Sequence, residues 1–127
     1  MQALNTGQNV AIKGYDLVAY FDGQAQYGDP AISCEHDGAT FYFVSEENKV
    51  KFESHPEKYI PAYGGWCAYA MSEGNQFDVD PRSFKIVDGQ LMLFYKGIGG
   101  DTKSIWENGD VSEVDRVQRA TTNWQRN

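Results

Sequence analysis

"AISCEHDGATFYFV" (residues 31–44) is two β-favouring runs joined by a single Asp-Gly pair. Asp37-Gly38 suits a two-residue type I′ turn, which needs positive φ at both central positions. Pairing outward from that turn sets His36 opposite Ala39, Cys34 opposite Phe41 and Ile32 opposite Phe43. Strand alternation then gathers those six residues on one face and leaves Ser33, Glu35, Thr40 and Tyr42 on the other. The stretch therefore predicts an antiparallel hairpin with Cys34 directed into the core.

The flanking sequence extends this pattern in both directions. "SEENKVKFESHPEKYI" (residues 45–60) begins with a good N-cap, Ser45, and carries Glu46 and Glu47 where the helix dipole favours negative charge. It predicts a helix over about Glu46 to Glu53 that buries Val50 or Phe52, then a short turn opened by Pro56 with Tyr59 and Ile60 inward. "SFKIVDGQLMLFYK" (residues 83–96) repeats the hairpin logic at Asp88-Gly89, with Ile86 facing Leu91 and Phe84 facing Leu93. Met92 and Phe94 fall on the opposite side, which predicts cover on both faces. Upstream, "NVAIKGYDLVAYF" (residues 9–21) reads as a short strand, a break at Gly14 and a second apolar segment, followed by a loop through Gly28-Asp29-Pro30. Asp101 can cap a helix running through Trp106. Val114, Val117, Ala120, Thr121 and Trp124 recur at helical spacing, as the core face of a last helix would. The fold class that results is α+β: one small domain over residues 1–127, with two antiparallel β-hairpins and several short helices.

A chain of 127 residues, 41% hydrophobic and 23% charged, is long enough for one core without a covalent staple. Eighteen acidic against eleven basic residues give a net charge of −7. That surface repels phosphate backbones and speaks against nucleic acid as a partner. No apolar run approaches the length of a membrane span, and "QLMLFY" (residues 90–95) is only strand-length. The opening "MQALNTGQNVAIKGYD" lacks the basic start and apolar middle of a signal peptide, which fits either a cytoplasmic protein or an exported one in mature form.

Chemistry centres on "GGWCAYAMSEG" (residues 64–74), which holds the second of two cysteines. Cys67 has four readings open to it: metal ligand, nucleophile, half of a disulfide with Cys34, or a small buried hydrophobe beside Trp66 and Tyr69. A thiolate combined with thioether or imidazole suits Cu(I) or zinc, and His36, His55 and Met71 are the available partners. None stands at a dense ligand spacing, so any metal site has to be assembled by the tertiary fold. A cysteine nucleophile needs a base, and neither histidine is placed beside Cys67 by spacing, which points away from an enzyme. Asp16, in "KGYD" (residues 13–16), is a candidate oxygen ligand or a partner for Lys13. A turn in which its carboxylate bonds local N–H groups is the simpler reading. "DVDPRS" (residues 78–83) lacks the ligand count of a calcium loop, and "GIGGD" (residues 97–101) matches no phosphate-binding pattern.

"VAIKGYDLVAYF" (residues 10–21), followed by "DGATFYFVSEENKVKFESHPEKYIPAYGGWCAYAMSEG" (residues 37–74), resembles the YHS-domain family, and in particular its longer bacterial form. In that form the core continues into a "YGGxCA" segment, a "KIVDGxLxLxY" hairpin and a helix ending near Asn-Trp, all of which have counterparts here up to Trp124. The resemblance implies a core related to treble-clef-like metal-binding folds over about residues 10–75, with a hairpin-and-helix extension over about 76–124. Short YHS domains accompany copper-transporting ATPases and metal-dependent enzymes, and their cysteine patterns align with "DLVAYF" and "FYFVSEEN" in this chain. Ala19, Val44 and Asn48 stand where three of those cysteines would be. The metal site of the short form is therefore not carried over, and Cys67 with His36, Met71 and Asp16 is the candidate set for copper, zinc or a small ligand. The longer form usually has a signal peptide, which implies a periplasmic or secreted protein, the alternative being cytoplasmic. The expected function is that of a small metal or small-ligand binding domain working through Cys67. Its rivals are a structural or interaction module and a thiol-dependent redox protein.

Overall fold

Two Asp-Gly turns organise the chain, each with both central residues at positive φ. Asp37 and Gly38 have φ of 50° and 83°, and Asp88 and Gly89 have 51° and 78°, as type I′ turns demand. The structure is a computed structural model and describes residues 4–126; Met1 to Ala3, where the reading of the N-terminus starts, and Asn127 lie outside it.

The first turn joins β3 (Asp29–His36) to β4 (Ala39–Phe43). Two short strands, β1 (Thr6–Gly7) and β2 (Val10–Ala11), complete a sheet of order β1-β2-β4-β3, in which β2 runs parallel to β4. Cys34 pairs with Phe41 and His36 with Ala39 as the turn predicts, but Phe43 pairs with Asp29, not with Ile32. A bulge between Asp29 and Ser33 causes the change. Pro30 has no N–H for the ladder, and the Asp29 carboxylate accepts from the Ala31 N–H at 2.9 Å, folding the strand entry back on itself. β3 is also the sheet edge, so Cys34 is half-buried while Ala39, Phe41 and Phe43 on β4 are buried.

Ser45 caps α1 (Glu46–Ser54), its hydroxyl accepting from the Asn48 N–H at 3.1 Å. Phe52, not Val50, is the apolar residue this helix buries; its ring packs on Phe41 and Phe43, and Val50 faces solvent. A fully buried phenylalanine contributes about 1.5–3 kcal/mol relative to exposure. Pro56 opens α2 (Pro56–Tyr59), and a tight turn over Ala62–Gly65 leads into α3 (Ala68–Ser72).

The second hairpin pairs β5 (Asp80–Val87) with β6 (Gln90–Phe94), with Ile86 opposite Leu91 and Phe84 opposite Leu93. Leu91 to Phe94 are all buried, so β6 is covered on both faces, while Ile86 lies at the rim. A small ladder of β7 (Lys96–Gly97) and β8 (Gly100–Asp101) then feeds α4 (Thr102–Asn108), capped by Asp101 through the Ser104 N–H.

The last helix, α5 (Glu113–Arg126), is rotated from the expected stripe. Arg116 and Ala120 are buried and Val117, Asn123 and Trp124 half-buried, whereas Val114 and Thr121 are exposed. Polar chemistry on α3 sets this rotation. Arg116 lies over the Tyr69 ring at 4.6 Å and bonds Ser72 Oγ at 3.0 Å and Glu73, and Asn123 Nδ2 donates to the Met71 carbonyl at 2.7 Å. The terminal carbonyls of a short helix need donors, and α5 supplies one. No helix among the described residues is long and apolar enough to cross a membrane.

Candidate functional site

Asp16 is fully buried, and its carboxylate accepts four hydrogen bonds. Oδ1 takes the N–H groups of Val18 (2.8 Å) and Ala19 (3.1 Å), and Oδ2 takes the Val44 N–H (2.8 Å) and Asn48 Nδ2 (2.9 Å). Ala19, Val44 and Asn48 are the three positions at which the resemblance to short YHS domains would put cysteines. The fold thus brings those positions together, around a carboxylate that ties the "KGYD" turn to the β4–α1 junction. Both oxygens are used, so Asp16 has no acceptor capacity directed at a metal. Lys13 is held instead by Asp78, at 2.9 Å.

Cys67 is likewise sealed. It is 0% exposed and caps α3, its sulfur accepting from the Ala70 N–H at 3.4 Å. Thr102 Oγ1 lies 3.4 Å from the sulfur and donates its own hydrogen to the Tyr95 carbonyl at 2.6 Å. The hydrogen between Cys67 and Thr102 therefore comes from the thiol. Met71 is one helical turn on, also fully buried. Cys34 and Cys67 are both free thiols, so no disulfide links the hairpin to α3. Burial and the charge of Glu53 push the Cys34 thiol above its usual range.

His36 stands apart from both, at the tip of the first hairpin, edge-on to Phe41 and Phe52 and 3.4 Å from the Asp37 carboxylate. Among the described residues no three His, Cys, Asp or Glu side chains gather where a metal could be held, so Cys67, His36 and Asp16 do not share a site. A copper or zinc site built on that set does not fit this arrangement of donors.

The fold builds a groove beside His36. It has a volume of about 960 Å³ and lies where the first hairpin tip, the α2–α3 connection, Gln90 of the second hairpin and α5 meet. Its apolar wall includes Phe41, Ile60, Ala62 and Trp124. Tyr63 and Gly64 lie at its base in left-handed backbone, with φ of 57° and 63°. For tyrosine that conformation is strained, and such strain clusters at functional sites. It is held from two sides: the Tyr63 hydroxyl reaches Thr121 Oγ1 and the Val117 carbonyl, both at 3.4 Å, and the Asn5 N–H donates to the Gly64 carbonyl at 2.7 Å. Burial pushes the Tyr63 phenol above its usual range, partly offset by the Thr121 bond. Asn5 also spans to the second half of the chain, donating to Asp78 at 3.0 Å. Burial raises the Asp78 carboxyl, but bonds from Lys13, Asn5 and the Val79 N–H outweigh it and hold the group below its usual range.

Sequence reasoning placed His36 among the candidates but missed the groove itself. The readable signal was Tyr63-Gly64-Gly65, a glycine pair after an aromatic; the contributions of Trp124 and Gln90 appear only once the chain has folded. No curated protein and no solved structure matches the chain. The family model of the YHS domain matches residues 31–63. That segment runs from β3 through α2 to Tyr63, and supplies His36, Phe41 and Ile60 to the groove while Gln90 and Trp124 come from outside it. Residues 31–63 are thus similar to a YHS domain, and the candidate groove they begin is completed by the hairpin and helix that follow.

Proposed function

We propose that this protein is a small-ligand binding domain whose working site is the groove beside His36, not the thiol of Cys67. The observation that carries this reading is the groove's size and lining. About 960 Å³ of space walled by aromatic and aliphatic side chains, with polar side chains such as His36 and Gln90 among them, is in the size range of small-molecule sites. The strained Tyr63 at its base adds support.

The test is a fragment screen read by amide NMR on the whole chain. Ligands acting at this site shift Gly38, Ala39, Tyr63, Gly64 and the Trp124 indole together. Gln90→Trp, at an exposed position on the groove edge, abolishes those shifts and leaves the remaining spectrum folded. Shifts centred on Cys67 and Thr102 would overturn the reading.

A metal reading has one observation in its favour: Cys67 and Met71 bring two sulfurs to successive turns of α3, and soft sulfur ligands select Cu(I). Against it stand the burial of both residues and the use of the thiol in two hydrogen bonds. Titration with Cu(I) under reducing conditions separates the two, and the groove reading expects the same curve from the native protein and from Cys67→Ser.

A further inference from the structure

The charges around the groove are of one sign. Asp37 at the hairpin tip and Glu57 on α2 line it, and no lysine or arginine does among the described residues. Both carboxylates are at the exposed rim, whereas Phe41, Ala62 and Tyr63 are buried beneath. The whole chain adds a net charge of −7, which draws cations toward it. Aromatic faces in the wall have electron-rich surfaces that attract an ammonium group, and Trp124 is the best of these. The volume greatly exceeds that of a bare ammonium ion, so a matching ligand needs an apolar body as well.

Resting on the groove as the binding site, we infer that its ligand is a small organic ammonium ion: an apolar or aromatic body seated on Phe41, Ile60 and Trp124, with its positive nitrogen at the Asp37–Glu57 rim. The rim steers and orients the charge, and the floor supplies the affinity. Anionic ligands meet two carboxylates with no lysine or arginine in the lining among the described residues, the one basic side chain there, His36, lying 3.4 Å from the Asp37 carboxylate, and are disfavoured.

Three probes of nearly equal size isolate the charge: 2-phenylethylammonium, 2-phenylethanol and 3-phenylpropanoate, each titrated into the whole protein by NMR. The ammonium probe binds the groove about tenfold more tightly than the alcohol, and the carboxylate more weakly than either. The double variant Asp37→Asn, Glu57→Gln removes most of the ammonium advantage and leaves binding of the alcohol unchanged. Both changes are compatible with folding: Asn-Gly is a preferred type I′ pair, and Glu57 is exposed in the first turn of α2. Equal binding of ammonium and alcohol at the groove, or an ammonium advantage that survives the double variant, overturns the charge assignment while the groove stands. Preference for the carboxylate overturns it as well. If none of the three probes shifts the groove resonances, the groove reading falls and this inference falls with it.

Discussion

Asp16 shows how one residue holds distant segments together. Its four donors come from two segments, residues 18–19 and residues 44–48. Removing the acceptor leaves buried N–H groups unpaired, a cost of about 1–3 kcal/mol for each group that water cannot reach. Asp16→Ala is therefore expected to lose at least about 3 kcal/mol of stability in urea denaturation. Asn48→Ala, which leaves Val44 on the same oxygen, is expected to lose about 1–2 kcal/mol. The turn role of Asp16 was legible, because Asp bonds N–H groups two residues on as a matter of local chemistry. Its reach to Asn48 was not, because 32 residues separate them. Cys67 teaches a related lesson. Sequence left it the more functional-looking thiol and turned Cys34 inward, whereas the edge position of β3 leaves Cys34 half-buried and Cys67 is sealed under α3 and Thr102. A thiol-labelling reagent followed by mass spectrometry should modify Cys34 first in the native state. Cys67 should react at the rate of unfolding, and equal native reactivity of both would contradict the packing described.

Elements that depend on local signals were readable, and those that depend on partners were not. Both hairpins were legible because Asp-Gly fixes turn type and register within a few residues. The bulge in β3 escaped because it arises from an Asp29–Ala31 side-chain bond and from Gly28, where a Cβ would come within 2.3 Å of the Tyr42 carbonyl carbon. α5 was legible as a helix, but its facing was set by Arg116 and Asn123, polar residues that a hydrophobic stripe ignores. The turn over Ala62–Gly65 gives the sharpest test at this scale. Gly65 has φ of 83°, and a Cβ there would lie 2.3 Å from Ile12 Cδ1. Gly65→Ala combines left-handed strain with a steric clash in the core, each costing about 1–3 kcal/mol. Thermal unfolding should show a markedly lowered Tm and a spectrum perturbed at Ile12 and Pro61. Gly38→Ala, at similar φ but with open space around the added methyl, should cost only the backbone strain.

Across the whole molecule, acidic groups tie the N-terminal sheet, the second hairpin and the C-terminal helices together, and they make the fold sensitive to acid. Asp78 bridges Lys13 and Asn5. Glu113 accepts from Lys85 at 2.7 Å and from the Trp106 indole at 2.8 Å. Asp80 accepts from its neighbour Arg82. All three carboxyls are held below their usual ranges: Asp80 by the Arg82 hydrogen bonds, Glu113 by Lys85, and Asp78 by its donors acting against burial. Because the folded carboxyls bind protons less readily than the unfolded ones, the unfolded chain takes up protons first as the solution is acidified. The stabilisation is thus present in full above the unfolded carboxylate range, roughly pH 4–5, and declines as pH falls through it toward the depressed folded values. Urea denaturation should give a nearly flat stability from neutral pH to about pH 5 and a progressive loss below about pH 4. Asp78→Asn should lower stability at neutral pH and also flatten the acid limb, since a group that no longer titrates cannot contribute to the slope. Added salt should weaken the exposed Lys13–Asp78 contribution more than the partly shielded Glu113 cluster, because screening acts most strongly on solvated pairs. An acid limb unchanged by Asp78→Asn would place the linkage in Glu113 and Asp80 alone, and would remove Asp78 as a clamp between the two halves of the chain.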